Sequence, residues 1–200
     1  MSDWFTTRMF AEPLFYKDFG LIGGLDIRNS KYMQEPGNQV KNIHNDDYFA
    51  GLKKRLIDWS YEIFDKAYGY DMTDLKVEMT SMWLNKTPKG VFHPPHHHAN
   101  NILSGVFFPE GDGEDFAHLN FMRPVTMQLY PESKIKNETE FNQYQYYMKC
   151  KQGYACMFPS YINHYVDTNH NNRERLSIAF DILIRGVYSD TKDGVTKHTI

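Results

Sequence analysis

The sequence predicts a mainly β protein with one flanking helix, built as an antiparallel sandwich or barrel, and three observations lead there. From Leu75 onward, short runs of alternating apolar and polar residues follow one another, most of them separated by Gly, Pro, Asn or Asp. Aromatic residues make up 16% of the 200 residues, and flat rings pack well on a pleated surface. Only one segment carries a helical period. Many short strands at close spacing, with little helix to cover both faces of a parallel sheet, fit antiparallel architectures.

The elements follow in chain order. Residues 18–45 are rich in Gly, Asn, Lys and Gln and read as an irregular connection. Asn45 or Asp46 can cap a helix in which Phe49, Leu52, Leu56, Trp59, Ile63 and Ala67 recur on one side, with Lys53, Lys54, Arg55 and Asp58 on the other. Gly69 and Asp71 end it. The period then changes to two: Leu75, Val77 and Met79 alternate with Lys76, Glu78 and Thr80 in a strand that continues to Trp83. Further strands are expected at Ile102–Phe108, His118–Phe121, Thr126–Tyr130, Gln143–Cys150, Tyr154–Phe158 and Arg175–Ile184. The expected organisation is a single domain over residues 1–200: an irregular and helical segment at 1–72, a β core at 73–188 and a polar tail at 189–200.

Composition removes several classes of function. A net charge of −3 offers no basic surplus for a nucleic acid. No apolar run is long enough for a transmembrane helix, and Met1–Phe10 lacks the apolar stretch of a signal peptide, so a cytoplasmic protein without membrane contact is expected. Two cysteines, Cys150 and Cys156, flank the turn Lys151-Gln152-Gly153 and read as reduced thiols of a core or hairpin.

Four of the nine histidines fall in one stretch, His93-Pro94-Pro95-His96-His97-His98. Strand side chains alternate, so His96 and His98 share a face while His97 takes the other. Ligands two apart on a strand converge easily within the roughly 2.0–2.2 Å that a metal ion requires, so the pair makes a sensible half-site. A second half-site is His164, which follows the apolar strand Tyr154–Phe158 and the break Pro159-Ser160. Arg175 opens the last strand and shares a face with Ser177, while Leu176, Ile178 and Phe180 take the opposite one. A guanidinium beside a hydroxyl on an otherwise apolar strand suits a buried carboxylate, gripped in bidentate fashion.

Four pieces of the chain together resemble a family. They are Met9-Phe10-Ala11-Glu12-Pro13-Leu14; Trp83-Leu84-Asn85 and Gly90 leading to His96-x-His98; Leu103-Ser104-Gly105-Val106-Phe107-Phe108; and Gly153–His164 followed by Arg175-x-Ser177. In order and spacing they resemble an uncharacterised branch of the 2-oxoglutarate- and Fe(II)-dependent oxygenases that is distantly similar to prolyl hydroxylases. The resemblance implies a double-stranded β-helix, the jelly-roll, cupin-like barrel. It also implies Fe(II) as metal, 2-oxoglutarate as co-substrate, ascorbate as a supporting reductant, and hydroxylation of an unidentified substrate, peptidyl by family analogy. His96 resembles the first iron ligand and His164 the distal one; Arg175 resembles the partner of the far carboxylate of 2-oxoglutarate, supported by the Ser177 hydroxyl. His98 stands where prolyl hydroxylases carry the carboxylate of an H-x-D motif. The third ligand is therefore open between His98, a water and a carboxylate such as Asp115, with His97 on the wrong face and His93 outside the ligand shell. The loops Gly111–Asp115 and Lys134–Glu140 are candidates for substrate selection.

Two other readings fit the histidines. One is a cupin-like three-histidine metalloenzyme that does not use 2-oxoglutarate; the other is a non-catalytic jelly-roll binding module. The sequence names neither the substrate nor an oligomeric state.

Overall fold

The computed structural model describes residues 12–111, 117–124, 134–139 and 142–186. Two antiparallel sheets pack face to face in the jelly-roll manner. The larger contains β1 (Phe15–Asp18), β2 (Gln39–Val40), β3 (Leu75–Thr87), β5 (Leu103–Phe107), β8 (Tyr154–Pro159) and β10 (Arg175–Gly186) in the order β1-β8-β5-β10-β3-β2. The smaller contains β4 (His93–His96), β6 (Leu119–Met122), β7 (Gln145–Met148) and β9 (His164–Val166) in the order β4-β9-β6-β7. Among the described residues the sheets share no strand, so the barrel of the sequence-based expectation is an open sandwich.

The helix forms where the period requires it. The Asp46 carboxylate accepts the Tyr48 N–H at 3.0 Å and heads a short 3-10 turn, Asp47–Phe49, which runs into α1 (Ala50–Glu62). Leu52, Leu56 and Trp59 are buried against the outer face of the larger sheet, where they meet Leu84, Leu176, Ile178, Phe180 and Ile182. The helix widens into a π turn over Ile63–Ala67 before Gly69, at φ +70°, lets the chain leave. A second apolar cluster, including Val106, Leu119, Phe121, Phe158, Val166 and Ala179, fills the space between the sheets.

Most expected strands are present with ends moved by a residue or two; the one expected at Thr126–Tyr130, Asp115 and the tail from Ser189 lie outside the described residues. Residues 18–45 hold more order than their composition suggests. β2 lies within them and pairs with β3, while Ile27, Tyr32 and Ile43 are core residues. Tyr32 also donates to Asp46 at 2.6 Å, and burial, then that hydrogen bond, push its phenol above the ordinary range. Both cysteines are buried free thiols, and burial pushes Cys156 up to about 12. No helix of the described residues is long and apolar enough to cross a membrane.

Two local features of the larger sheet position the site. Pairing of β10 with β3 slips between Asp181 and Ile182: Asp181 faces Ser81 while Ile182 faces Met79, so Thr80 is an extra residue. The buried apolar set of β3 shifts from Val77 and Met79 to Met82 and Leu84, and Ser81, Trp83 and Asn85 turn toward the space between the sheets. On β5, a Cβ built on Gly105 would lie 2.3 Å from Phe180 Cζ and 2.6 Å from the Cys156 carbonyl oxygen. Glycine lets the Phe180 ring and β8 approach this strand, with Ser104 and Val106 left to face inward.

Candidate metal centre

His96 and His164 are directly opposed partners of β4 and β9, and His164 is also paired with Phe121 of β6. His98 lies just past the end of β4, held by its N–H to the Ser160 carbonyl at 2.9 Å. The three rings meet: centroids lie 4.4 Å apart for His96 and His164, 5.1 Å for His98 and His164, and 5.2 Å for His96 and His98. One ligand atom from each falls within 4.8 Å of the others. His97, by contrast, is exposed. His93 lines the same cavity but bonds Thr87 Oγ1 at 3.1 Å and is not in the cluster.

The hydrogen bonds select the same nitrogen on each ring. The carbonyl of Pro94 accepts from His96 Nδ1 at 2.8 Å, that of Ile162 from His164 Nδ1 at 3.0 Å, and Asp181 Oδ1 from His98 Nδ1 at 2.6 Å. Each acceptor fixes the proton on Nδ1 and leaves Nε2 as the lone-pair donor. Burial drives His164 down to about 4, and burial also lowers His96, so both rings are neutral near pH 7. Three imidazoles with Nε2 free to converge suit a first-row divalent ion, and the donor set fits an iron site in all but the usual carboxylate.

Asp181 supplies a carboxylate one shell further out. It stands opposite Ser104 on β5 and Ser81 on β3. Ser104 Oγ lies 2.7 Å from Oδ1 and Ser81 Oγ 2.8 Å from Oδ2. Burial raises the Asp181 carboxyl, but the bonds from His98, Ser104 and Ser81 outweigh it and hold the group below the usual carboxylate range. Sequence reasoning gave Asp181 no role, although a signal was there: it shares the parity of Arg175 and Ser177 on β10.

Arg175 is 2% exposed. Its Nε donates to the Ala117 carbonyl at 3.1 Å, one terminal nitrogen to Ser177 Oγ at 3.1 Å and the other to Cys150 Sγ at 3.3 Å; the guanidinium carbon lies 5.7 Å from the Phe108 ring centroid. Arg28, Arg173 and Arg185 pair with Glu110, Glu174 and Glu78, whereas Arg175 has no ion pair among the described residues. A buried cation without a carboxylate among the described residues is costly unless something else supplies the anion.

Histidines and arginine share one cavity of about 390 Å³. Its apolar wall is Val106, Leu119, Phe158, Val166 and Ala179, with Trp83 beside His98 at 5.5 Å between ring centroids. Exposed Gln39, Lys41 and Asn42 and buried Asn85 add a polar side that sequence reasoning did not single out. Gln39 sits in a two-residue strand and Lys41 and Asn42 follow it, stretches too short to carry a periodic signal, so nothing in the sequence marked these three.

The family model described as "Putative 2OG-Fe(II) oxygenase" matches residues 81–181, half of the chain, a span that includes His96, His98, His164, Arg175 and Asp181. No curated protein matches the chain. Among solved structures, the non-heme alpha ketoglutarate dependent epimerase SnoN from nogalamycin biosynthesis is similar with a TM-score of 0.57 at 12% identity, over 94% of this chain and 86% of that one. It has also been crystallised with Fe3+, alpha ketoglutarate and nogalamycin RO. AviO1 from Streptomyces viridochromogenes Tue57 is similar with a TM-score of 0.51 at 14% identity, over 84% and 72% of the two chains. A 2OG-Fe(II) oxygenase family oxidoreductase from Burkholderia pseudomallei gives a TM-score of 0.46 at 15% identity over 71% of this chain, which spans about half (53%) of that one. At such identities the likeness is one of fold, and the family match carries the assignment: the chain belongs to the 2OG-Fe(II) oxygenases, oxidoreductases that use Fe(II) and 2-oxoglutarate.

Proposed function

We propose that this cavity is the active site of a dioxygenase that couples oxidative decarboxylation of 2-oxoglutarate to hydroxylation of a substrate, with residues 1–200 acting as one catalytic unit. One observation carries the reading: three imidazoles with Nε2 uncommitted share a cavity with a buried arginine that has no carboxylate partner among the described residues. His96, His98 and His164 hold Fe(II). Arg175, with Ser177 Oγ, takes the far carboxylate of 2-oxoglutarate in a bidentate grip. The bound iron supplies the oxidising chemistry; the chain's task is to hold, orient and keep dry.

The residues divide that task. Bonds that the guanidinium donates to Ala117, Ser177 and Cys150 fix its plane before any ligand arrives, which lowers the ordering cost of binding. Val106, Leu119, Phe158 and Val166 exclude water around the co-substrate. A cavity of about 390 Å³ is at the small end for ligand sites and takes 2-oxoglutarate plus one side-chain-sized group. This favours a substrate that inserts one residue or ring, such as a peptidyl side chain, past Gln39, Lys41 and Asn42.

The test is succinate release from 2-oxoglutarate with Fe(II) and ascorbate, with and without a panel of peptides and small molecules. Turnover that needs both iron and 2-oxoglutarate is expected. The all-histidine cluster favours one rival, a three-histidine metalloenzyme that does not use 2-oxoglutarate. Metal-dependent chemistry that is indifferent to 2-oxoglutarate would establish it. Absence of bindable Fe(II), Co(II) or Zn(II) would instead favour a non-catalytic module.

A further inference from the structure

The usual non-haem iron triad contains one carboxylate, whose charge offsets the ion's. In the histidine cluster that position is an imidazole, and among the described residues a carboxylate, that of Asp181, lies behind it. Asp181 is 6% exposed, and its one ion-pair partner among the described residues is His98, at 2.6 Å. The rest of its surroundings is neutral: Ser104 and Ser81 donate to its two oxygens, and Ser160 Oγ extends the chain at 2.9 Å from Ser104 Oγ. A buried carboxylate with only hydroxyls and one imidazole around it lacks a permanent cation. The imidazole supplies one if an ion sits on its far nitrogen. Serines occupy both cross-strand positions beside Asp181, and the extra residue Thr80 brings Ser81 into register.

We propose that Asp181 is a positioning residue that returns the missing carboxylate charge to the metal site through His98. Its hydrogen bond fixes the ring's tautomer and angle, and its charge makes Nε2 a stronger donor than a neutral imidazole alone. The site thus behaves as a two-histidine site plus a histidine–carboxylate pair acting as the third, anionic ligand. This rests on the proposed metal role of the histidines and adds to it the placement of the charge.

The experiment titrates Co(II), read by its visible absorption, into apoprotein of the parent, D181N, H98D and the double variant H98D/D181N. Folding of each is checked by circular dichroism. The parent should bind one Co(II). D181N can keep a hydrogen bond to Nδ1 through its amide oxygen but loses the charge, and should bind about 10- to 100-fold more weakly. In H98D the new carboxylate faces Asp181, and binding should be weakened as well. H98D/D181N moves the charge to the first shell and should bind at least about tenfold more tightly than either single variant, a rescue that a purely structural role for Asp181 would not produce. Folded D181N with parental affinity, or a double variant no better than the singles, would overturn the proposal while leaving the metal site standing. A parent that binds no Co(II) would remove the metal site and this inference together. Should D181N not fold, proton NMR of the zinc-loaded parent decides: a strongly deshielded Nδ1 proton of His98, bonded to carboxylate, is expected, and its absence overturns the inference.

Discussion

Replacing Arg175 by methionine separates the ligand-binding role of this residue from a structural one. Methionine keeps the length and apolar stem and removes the charge and the fork. In the fold, the Ala117 carbonyl loses a donor, a loss of about 1–3 kcal/mol, while the Ser177 hydroxyl can turn elsewhere. Against this, a guanidinium that is 2% exposed and has no carboxylate partner among the described residues no longer has to be desolvated, which offsets much of the loss. Net stability should change by no more than about 2 kcal/mol, or roughly 6 °C in Tm for a chain of this size. The effect on 2-oxoglutarate is larger. Two charge-assisted hydrogen bonds to a carboxylate are worth about 1.5–3 kcal/mol each, so their loss should weaken the co-substrate roughly 100-fold or more. The assay is succinate release as a function of 2-oxoglutarate concentration, beside thermal melts with and without 2-oxoglutarate. Parental affinity in a normally folded variant would refute the reasoning, and so would a collapse in Tm, since the guanidinium would then serve the fold rather than a ligand.

Three further predictions concern the fold and the apoprotein. His164 in the metal-free chain titrates near 4 when folded and near 6.5 when unfolded, so between these values the unfolded chain binds more protons and stability falls as pH is lowered. About 3 kcal/mol should be lost from pH 7 to below 4 from this ring, with His93 and His96 shifted in the same direction, and denaturant titrations of apoprotein across that range measure it. Gly105→Ala drives a methyl into the Phe180 ring and the Cys156 carbonyl and should destabilise by about 1–3 kcal/mol or more, seen as a lowered denaturation midpoint. Leu56→Ala, at a fully buried helix position against the outer face of the larger sheet, should lose about 2–5 kcal/mol yet leave the Co(II) affinity of the remaining folded protein unchanged.

The parts of the fold visible in the sequence are those with an unbroken period. α1 was legible because Leu52, Leu56 and Trp59 repeat at helical spacing over a polar far side, and β10 because Leu176, Ile178, Phe180 and Ile182 mark one face without interruption. β3 was legible only to the point where Thr80 changes its phase. β2 has two residues, and β4 contains Pro94 and Pro95; runs so short, or with prolines, carry too little pattern to separate from loop. Such strands exist because a neighbour offers free backbone groups, as β3 does for Gln39 and Val40 and β9 does for His93 and His96. That is a tertiary cause, and local sequence does not record it.

The site divides along the same line. His96, His98 and Arg175 could be named because two-residue spacing puts chemistry on one face, and His164 because a polar ring follows an apolar strand that ends at proline. What the spacing did not give is partnership across strands. Asp181 lies six residues beyond Arg175, on the same face of β10, yet its role depends on the chain just past β4 bringing His98 within 2.6 Å and on β3 and β5 supplying serines opposite it. An H-x-H in place of H-x-D leaves the third ligand open in sequence between His98, a water and a carboxylate such as Asp115, which lies outside the described residues. Among the described residues, the carboxylate bonded to His98 comes from the last strand, 83 residues away. A sheet places distant residues side by side at about 5 Å as readily as neighbours. The carboxylate partner of a histidine in a β protein is therefore better sought by strand parity than by distance along the chain: of the inward positions on β10, Arg175, Ser177, Ala179 and Asp181, the one acid is the residue that meets His98.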